Sequence, residues 1–266
     1  MTHPERTLEG RVALVTGGGR GIGKTVALTL AKAGSDVVIC GRTERTLHET
    51  AEEIHTHDVK ALAIVADVVN LKDIQHFVTT AVGHKGRIDI LVNNAVSSLA
   101  ARFDQQSDEH WQHHIDVKLM AYIRAAREVL PHMQQRGWGR IVNVGGMTAR
   151  IVAPLRMTNG VVNAGVTNFT KQFANHVGPS GVTVNCVHPG ITATDRMVAV
   201  IESTARDAGV SVEEMTVQMT EEIPRGRLIK PQDIANAVMF FCSPLADMVT
   251  GQAIAVDGGS STAVHY

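Results

Sequence analysis

Aromatic residues are scarce in this 266-residue sequence, 4% of the total, and only two of them, Tyr122 and Tyr266, are tyrosines. Proton transfer by a phenol is therefore confined to two places. Cysteine is scarcer still: Cys40, Cys186 and Cys242 stand far apart with no C-x-x-C, which argues against a disulfide frame or a thiolate metal site and fits a reducing, cytoplasmic setting. Neither sign of charge dominates. A formal net charge of −1 without a basic block argues against a nucleic-acid surface, so a small-molecule substrate is expected. Long hydrophobic runs are missing, since no stretch approaches the ~20 apolar residues needed to span a bilayer, and the opening MTHPERTLEGR has no signal-peptide core. The thirteen histidines include the pairs His55/His57 and His113/His114, neither with the i, i+4 spacing and carboxylate of a zinc hydrolase, so no catalytic metal is expected.

What the chain has is glycine and a regular alternation. With 44% apolar residues it is long enough for one α/β domain over 1–266. Arg11–Thr16 reads as a strand, Gly17-Gly18-Gly19-Arg20-Gly21-Ile22-Gly23 as a turn, and Lys24–Ala33 as a helix. Glycines let a backbone turn with positive φ and approach a pyrophosphate, and the helix N-terminus offers free N–H groups to the anion, although a purely structural tight turn has the same composition. Further strands are expected at Asp36–Cys40, Lys60–Val65, Ile88–Asn93, Arg140–Val144, Thr183–His188 and Ala253–Asp257. Helices are expected at Thr43–His57, Leu71–Val82, Asp108–His132 (one long helix), Val161–His176 and Pro231–Ser243, with a lid-like helical segment at 195–222. In that segment Met197, Met215 and Met219 suit an internal core or a mobile lid. The alternation implies a single doubly wound parallel sheet, Rossmann-like, with the site at its carboxyl edge.

The spacing of Gly17, Gly21 and Gly23 is G-x-x-x-G-x-G. Together with Asn93-Asn94-Ala95-Val96, Pro189-Gly190-Ile191-Thr192-Ala193-Thr194 and the stretch GRIVNVGGMTARIVAPLRMTNGVVNAGVTNFTK over Gly139–Lys171, it resembles the short-chain dehydrogenase/reductase family from about Leu8 to Gly259, and 3-oxoacyl-ACP-reductase-like members in particular. The resemblance implies a cofactor site built from Thr16, Gly17, Arg20, Gly21, Ile22, Gly23, Asp67, Val68, Asn94, Ala95, Pro189, Gly190 and Thr194. In it Asp67-Val68 would lie near the adenine and Thr194 near the nicotinamide. NAD-binding relatives carry a carboxylate at the end of the second strand, whereas this chain has Gly41 and Arg42, so a 2′-phosphate between Arg42 and Arg20 and hence NADP(H) is expected. Val96 replaces the last glycine of the family's NNAG and would crowd the cofactor ribose.

The same resemblance marks a departure. Where the family has a Ser, then a Tyr thirteen residues later and a Lys four beyond that, this chain has Gly146, Asn159 and Asn163; where it has an Asn on the preceding long helix, this chain has Lys118. Asparagine donates and accepts hydrogen bonds but does not titrate, so the usual alcohol–carbonyl relay has no proton donor here. The candidate replacements are Lys118, reaching into vacated space or simply solvated; His188, catalytic or packed at a strand end; the Thr148 hydroxyl; and the amides of Asn159 and Asn163. Tyr122 reads as a subunit-interface residue and Tyr266 as a chain end. Arg102, Arg150 and Arg156 fall in loops that border the substrate in relatives, which suits a carboxylate or a phosphate-bearing carrier such as a CoA thioester.

Three functions are expected to compete. The first is an atypical NADP(H)-dependent oxidoreductase acting on a carbonyl, alcohol or enoyl compound. The second is a silent subunit or scaffold paired with an active homologue, and the third a cofactor-assisted lyase or isomerase. The resemblance also implies a homotetramer or dimer through the helices at Asp108–His132 and Val161–His176, with a second contact near Gly258-Gly259.

Overall fold

A computed structural model describes residues 6–97 and 100–262. Seven parallel strands form one sheet in the order β3-β2-β1-β4-β5-β6-β7: β1 Val12–Thr16, β2 Asp36–Gly41, β3 Ala61–Val65, β4 Ile90–Asn93, β5 Gly139–Val144, β6 Val182–Pro189 and β7 Ala253–Val256. The order reverses between β1 and β4, which places a crevice outside their carboxyl ends. β1 is buried along its whole length, so its five apolar-rich residues serve two cores. Val12 and Leu14 face one core, with α3 (Leu71–Lys85), α5 (Ala121–Gln134) and α6 (Met157–Val177); Ala13 and Val15 face the other, with α1 (Gly21–Lys32), α2 (Glu44–His55) and α9 (Pro231–Cys242). Among the described residues no helix is long and apolar enough to cross a membrane.

The structure extends the helix expected from Val161 back to Met157 and corrects the expected elements further in two places. The stretch expected as one helix from Asp108 to His132 divides into α4 (Asp108–His114), a widened π-helical turn (Ile115–Met120) and α5. Such a turn inserts an extra residue and rotates the side chains after it, and Lys118 lies within it. The 195–222 stretch is two helices, α7 (Asp195–Ala208) and α8 (Val212–Thr220), because Gly209 closes the first in the left-handed conformation and Ser211 caps the second. Their inner faces bury Ile201, Ala205 and Met215, with Met197 and Met219 packed against them, so the methionines form the small core of this pair.

Candidate active site

The glycine turn is shaped by what a side chain would strike. A Cβ on Gly23 would lie 2.1 Å from the Gly17 carbonyl oxygen and 2.5 Å from Asn94 Nδ2, so only glycine lets α1 start this close to β1. Gly17 itself has φ +68°. Thr16 ties the turn to the end of β4: its Oγ1 accepts from the Asn94 and Ala95 N–H groups at 2.9 and 3.1 Å, and Asn94 Nδ2 donates to the Thr16 carbonyl at 3.1 Å. Above the turn opens a cavity of about 560 Å³. Of the expected cofactor residues, Gly17, Arg20, Gly21, Ile22, Gly23, Arg42, Asp67, Val68, Asn94, Ala95 and Thr194 line it. Thr16 lies beneath as a brace, and Pro189 and Gly190 sit at the end of β6 without lining that wall. Val96 joins the wall, half exposed, and the space remains large.

A dinucleotide fits this site on two counts. The glycine cradle holds no Cβ where a diphosphate would approach the N-terminus of α1, and three arginines, Arg20, Arg42 and Arg196, line the same cavity against two carboxylates, Asp67 and Asp195. The Arg42 guanidinium is largely exposed and 4.0 Å from Asp67, near enough to be held loosely and free to swing toward a phosphate.

The end of β5 is held from below. Lys118, buried in the π-helical turn, donates from Nζ to the Gly145 carbonyl at 2.8 Å, and one helical turn later the Tyr122 hydroxyl donates to the Val144 carbonyl at 3.0 Å. Burial lowers the Lys118 ammonium to about 8 and pushes the Tyr122 phenol well above its ordinary value. Neither residue lines the large cavity or the smaller one around Thr148. Lys118 is thus not a solvated lysine: from the widened turn its ammonium is held against the Gly145 carbonyl. Tyr122 is inside its own chain, not at a subunit interface.

The opposite side of the same peptide is held by His188. The Gly146 N–H donates to His188 Nδ1 at 3.0 Å, so the proton of the neutral ring sits on Nε2, which faces Thr167 Oγ1 at 3.2 Å; that hydroxyl in turn donates to the Asn163 carbonyl at 2.8 Å. The ring fits because Gly145 has no side chain: a Cβ there would lie 2.5 Å from Nδ1. The Gly145–Gly146 peptide therefore has its oxygen on Lys118 and its N–H on His188. Both titratable candidates are spent on backbone. Cys186, 3.9 Å from His188 Nε2, is no substitute, since burial pushes its thiol up to about 12.

Thr148 faces outward instead. It lies in the single turn Met147–Ala149 after Gly146, accepts a hydrogen bond from Asn163 Nδ2 at 2.8 Å, and lines a second cavity of about 260 Å³ with Ile151, Val152, Ala153, Pro154, Arg156, Met157, Gly160 and Val161. Gly146 and Asn163 are coupled: a Cβ on Gly146 would lie 2.7 Å from Asn163 Nδ2, so the amide reaches Thr148 only because residue 146 has no side chain. The backbone of Gly146 is extended (φ 175°), so the constraint is one of space. Asn159 is one helical turn before Asn163 on α6, half buried. Of the loop arginines, Arg102 is paired with Asp104, Arg150 donates to the Ala253 carbonyl, and Arg156 lines the second cavity. Tyr266 lies outside the described residues.

The family model described as enoyl-(acyl carrier protein) reductase matches residues 17–261. The chain belongs to the short-chain dehydrogenase/reductase family. It is 35% identical over 256 residues to the 3-oxoacyl-(acyl-carrier-protein) reductase FabG of Aquifex aeolicus (strain VF5), covering 96% of this chain and 99% of that one. It is also 35% identical over 249 residues to the short-chain reductase protein NovJ of Streptomyces niveus, with 93% of each covered. Two solved structures share its fold. The L-sorbose reductase of Gluconobacter frateurii complexed with NADPH and L-sorbose matches at TM-score 0.95 and 29% identity over 98% of this chain and 100% of that one. An actinorhodin polyketide ketoreductase with NADPH matches at TM-score 0.90 and 33% identity, over 95% and 98%.

On this short-chain reductase scaffold, two residues not expected from the sequence join the site. Thr167 falls four residues after Asn163, so helical spacing alone would place it on the same face. Arg196, in the first turn of α7, lines the cofactor-sized cavity; its position two residues after Thr194 was the available signal.

Proposed function

We propose that this protein is an NADP(H)-dependent short-chain reductase that delivers hydride to an activated substrate without the family's Ser-Tyr-Lys relay. Supporting NADP(H) are the arginines at the cavity wall and the NADPH carried by two similar structures. Arg20 and Arg42 would hold the 2′-phosphate, and the turn at Gly17–Gly23 with the N-terminus of α1 would hold the diphosphate. Asp67 and Val68 would border the adenine, and Thr194 the nicotinamide end, with Asn94 and Ala95 fixing the ribose side.

The observation that carries this reading is the Asn163-to-Thr148 hydrogen bond. Because Asn163 Nδ2 donates to Thr148 Oγ1, the Thr148 hydroxyl keeps its own proton to donate, and since Thr148 lines the second cavity a substrate oxygen placed there would accept it. NADPH, when bound, supplies a hydride. Thr148 would stabilise the oxygen on which negative charge gathers, and Asn163 would keep its hydroxyl turned. Among the described residues lining Thr148's cavity there is no Asp, Glu, His, Cys, Lys or Tyr, so in this reading the proton comes from water. That suits a conjugated C=C compound, in which hydride adds at the β carbon, an enolate forms, and water protonates the α carbon. A simple ketone needs its oxygen protonated as the hydride arrives, which no described side chain lining this cavity provides.

A second reading is favoured by one observation. Lys118 and His188, the titratable candidates, both hold the Gly145–Gly146 peptide. A cofactor-binding subunit without turnover would have the same arrangement. Incubating the purified chain with NADPH and matched enones, ketones and alcohols separates the two. NADPH oxidation with enones supports the reductase, and tight NADPH binding with no oxidation by any of them supports the silent subunit.

A further inference from the structure

Thr148 and Asn163 sit on different elements, one in the single turn after β5 and the other on α6, and the imidazole of His188 reaches toward both. On one edge the ring meets the chain of Thr148. Its Nδ1 accepts from the Gly146 N–H at 3.0 Å, and the Gly146 carbonyl in turn accepts from the Ala149 N–H at 3.0 Å, which closes the turn that carries Thr148. On the other edge it meets the chain of Asn163. Nε2 faces Thr167 Oγ1 at 3.2 Å, and that hydroxyl donates to the Asn163 carbonyl at 2.8 Å. One ring therefore links the two backbones whose side chains share the bond from Asn163 Nδ2 to Thr148 Oγ1. The ring has no exposed surface, and it fits because Gly145 lacks a Cβ.

We propose that His188 is the positioning residue that holds Thr148 against Asn163, and that it does so as the neutral ring. The step from contact to function is one of hydrogen-bond polarity. An imidazole with a proton on both nitrogens has no acceptor, so its Nδ1–H would face the Gly146 N–H donor to donor, and the peptide would have to swing away. Thr148 would move with it. The surrounding groups do not supply the same effect. Lys118 lies across the peptide and loses its proton at about 8, yet a neutral amine still donates to the Gly145 carbonyl. Burial pushes the thiol of Cys186, two residues earlier on β6, up to about 12. Arg150 is turned to the Ala253 carbonyl on β7, Lys171 lies exposed beside Gly251, and Asp257 accepts from the Gly259 and Ser261 N–H groups. Below neutral pH the group that titrates against this peptide is His188. The role of Thr148 rests on the reductase reading, but the hold on Gly146 can be measured without turnover.

The test is NADPH oxidation with 1-phenylbut-2-en-1-one from pH 5 to 8, together with the amide spectrum of the ¹⁵N-glycine-labelled protein over the same range. The wild-type kcat should fall about tenfold for each pH unit below the midpoint of the ring, with KM nearly unchanged. The Gly146 amide signal, identified by its loss in Gly146→Ala, should shift at the same midpoint. His188→Leu should lose roughly tenfold to a hundredfold in kcat at every pH, the cost of a misplaced Thr148. His188→Asn, whose Oδ1 takes the place of Nδ1 without titrating, should recover most of that loss and give a flat acid profile. NADP⁺ affinity should be alike in all of these proteins, since His188 does not line the larger cavity. A wild-type kcat in His188→Leu, or an acid limb that persists in His188→Asn, overturns the proposal. A Gly146 signal that stays still between pH 5 and 8 overturns it as well, whether or not enones react. If no enone oxidises NADPH while the Gly146 signal titrates in the wild type and is still in His188→Asn, the reductase reading fails and the hold of His188 on the turn stands.

Discussion

Replacing Lys118 by methionine removes a buried charge while keeping the length and bulk of the side chain. Burial lowers this ammonium from 10.5 to about 8, a penalty on the charged form of about 3 kcal/mol. The folded value lies below the unfolded one. Between the two, the unfolded chain binds a proton that the folded chain does not, so stability rises as pH climbs from about 8 toward 10.5. From pH 7 to pH 10 this single group should add about 2.5 kcal/mol to the unfolding free energy. Lys118→Met abolishes that gain. It also leaves the Gly145 carbonyl without its partner, a loss of about 1–3 kcal/mol that opposes the relief of the buried charge at neutral pH. The variant should therefore unfold within roughly 2 kcal/mol of the parent at pH 7 and fall behind it at pH 10. Urea unfolding of both proteins, followed by tryptophan fluorescence at several pH values, gives the difference directly, and other titrating groups cancel in the comparison. Parallel pH profiles would show that Lys118 titrates alike in the folded and unfolded chains, as a solvated lysine does, and would refute the placement of its ammonium under β5.

Further outcomes follow from the same geometry. Gly146→Ser should destabilise the fold by about 1–3 kcal/mol through crowding and should lower any enone turnover, because the new Cβ displaces Asn163 from Thr148; thermal unfolding and initial rates measure both. Arg42→Ala should weaken NADPH roughly tenfold or more and leave NADH nearly unchanged, as read by calorimetric titration; equal losses for both would place Arg42 away from the 2′-phosphate. Gly23→Ala should abolish NADPH binding, since its Cβ has no room beside the Gly17 carbonyl, and unchanged affinity would show that the turn is laxer than drawn.

The fold was legible because its signals repeat. Each strand is an apolar run and each helix carries its own periodicity, and the glycine spacing locates the dinucleotide cavity within the alternation. Gly146, Asn159 and Asn163 stand out in the sequence as departures from an otherwise matching pattern, and the structure adds that Gly146 leaves room for the Asn163 amide beside Thr148. The direction of Lys118 was not legible. It depends on a widened turn between α4 and α5, a change of backbone hydrogen bonding that residue propensities do not encode. The role of His188 was hidden for another reason: two hydrogen bonds from distant parts of the chain set its tautomer. Among Arg102, Arg150 and Arg156 no sequence feature decides, since a loop arginine pairs with whatever the fold brings near it.

Hydride transfer without a side-chain proton relay is tested by single-turnover NADPH oxidation with 1-phenylbut-2-en-1-one and with butyrophenone, its saturated counterpart, at pH 6 to 9. The enone should be reduced at its C=C bond, and the saturated ketone should be slower by about 10²–10⁴, the usual worth of a positioned general acid. Reduction of butyrophenone to its alcohol as fast as the enone reacts, on a pH profile that titrates a single acid, would contradict the claim.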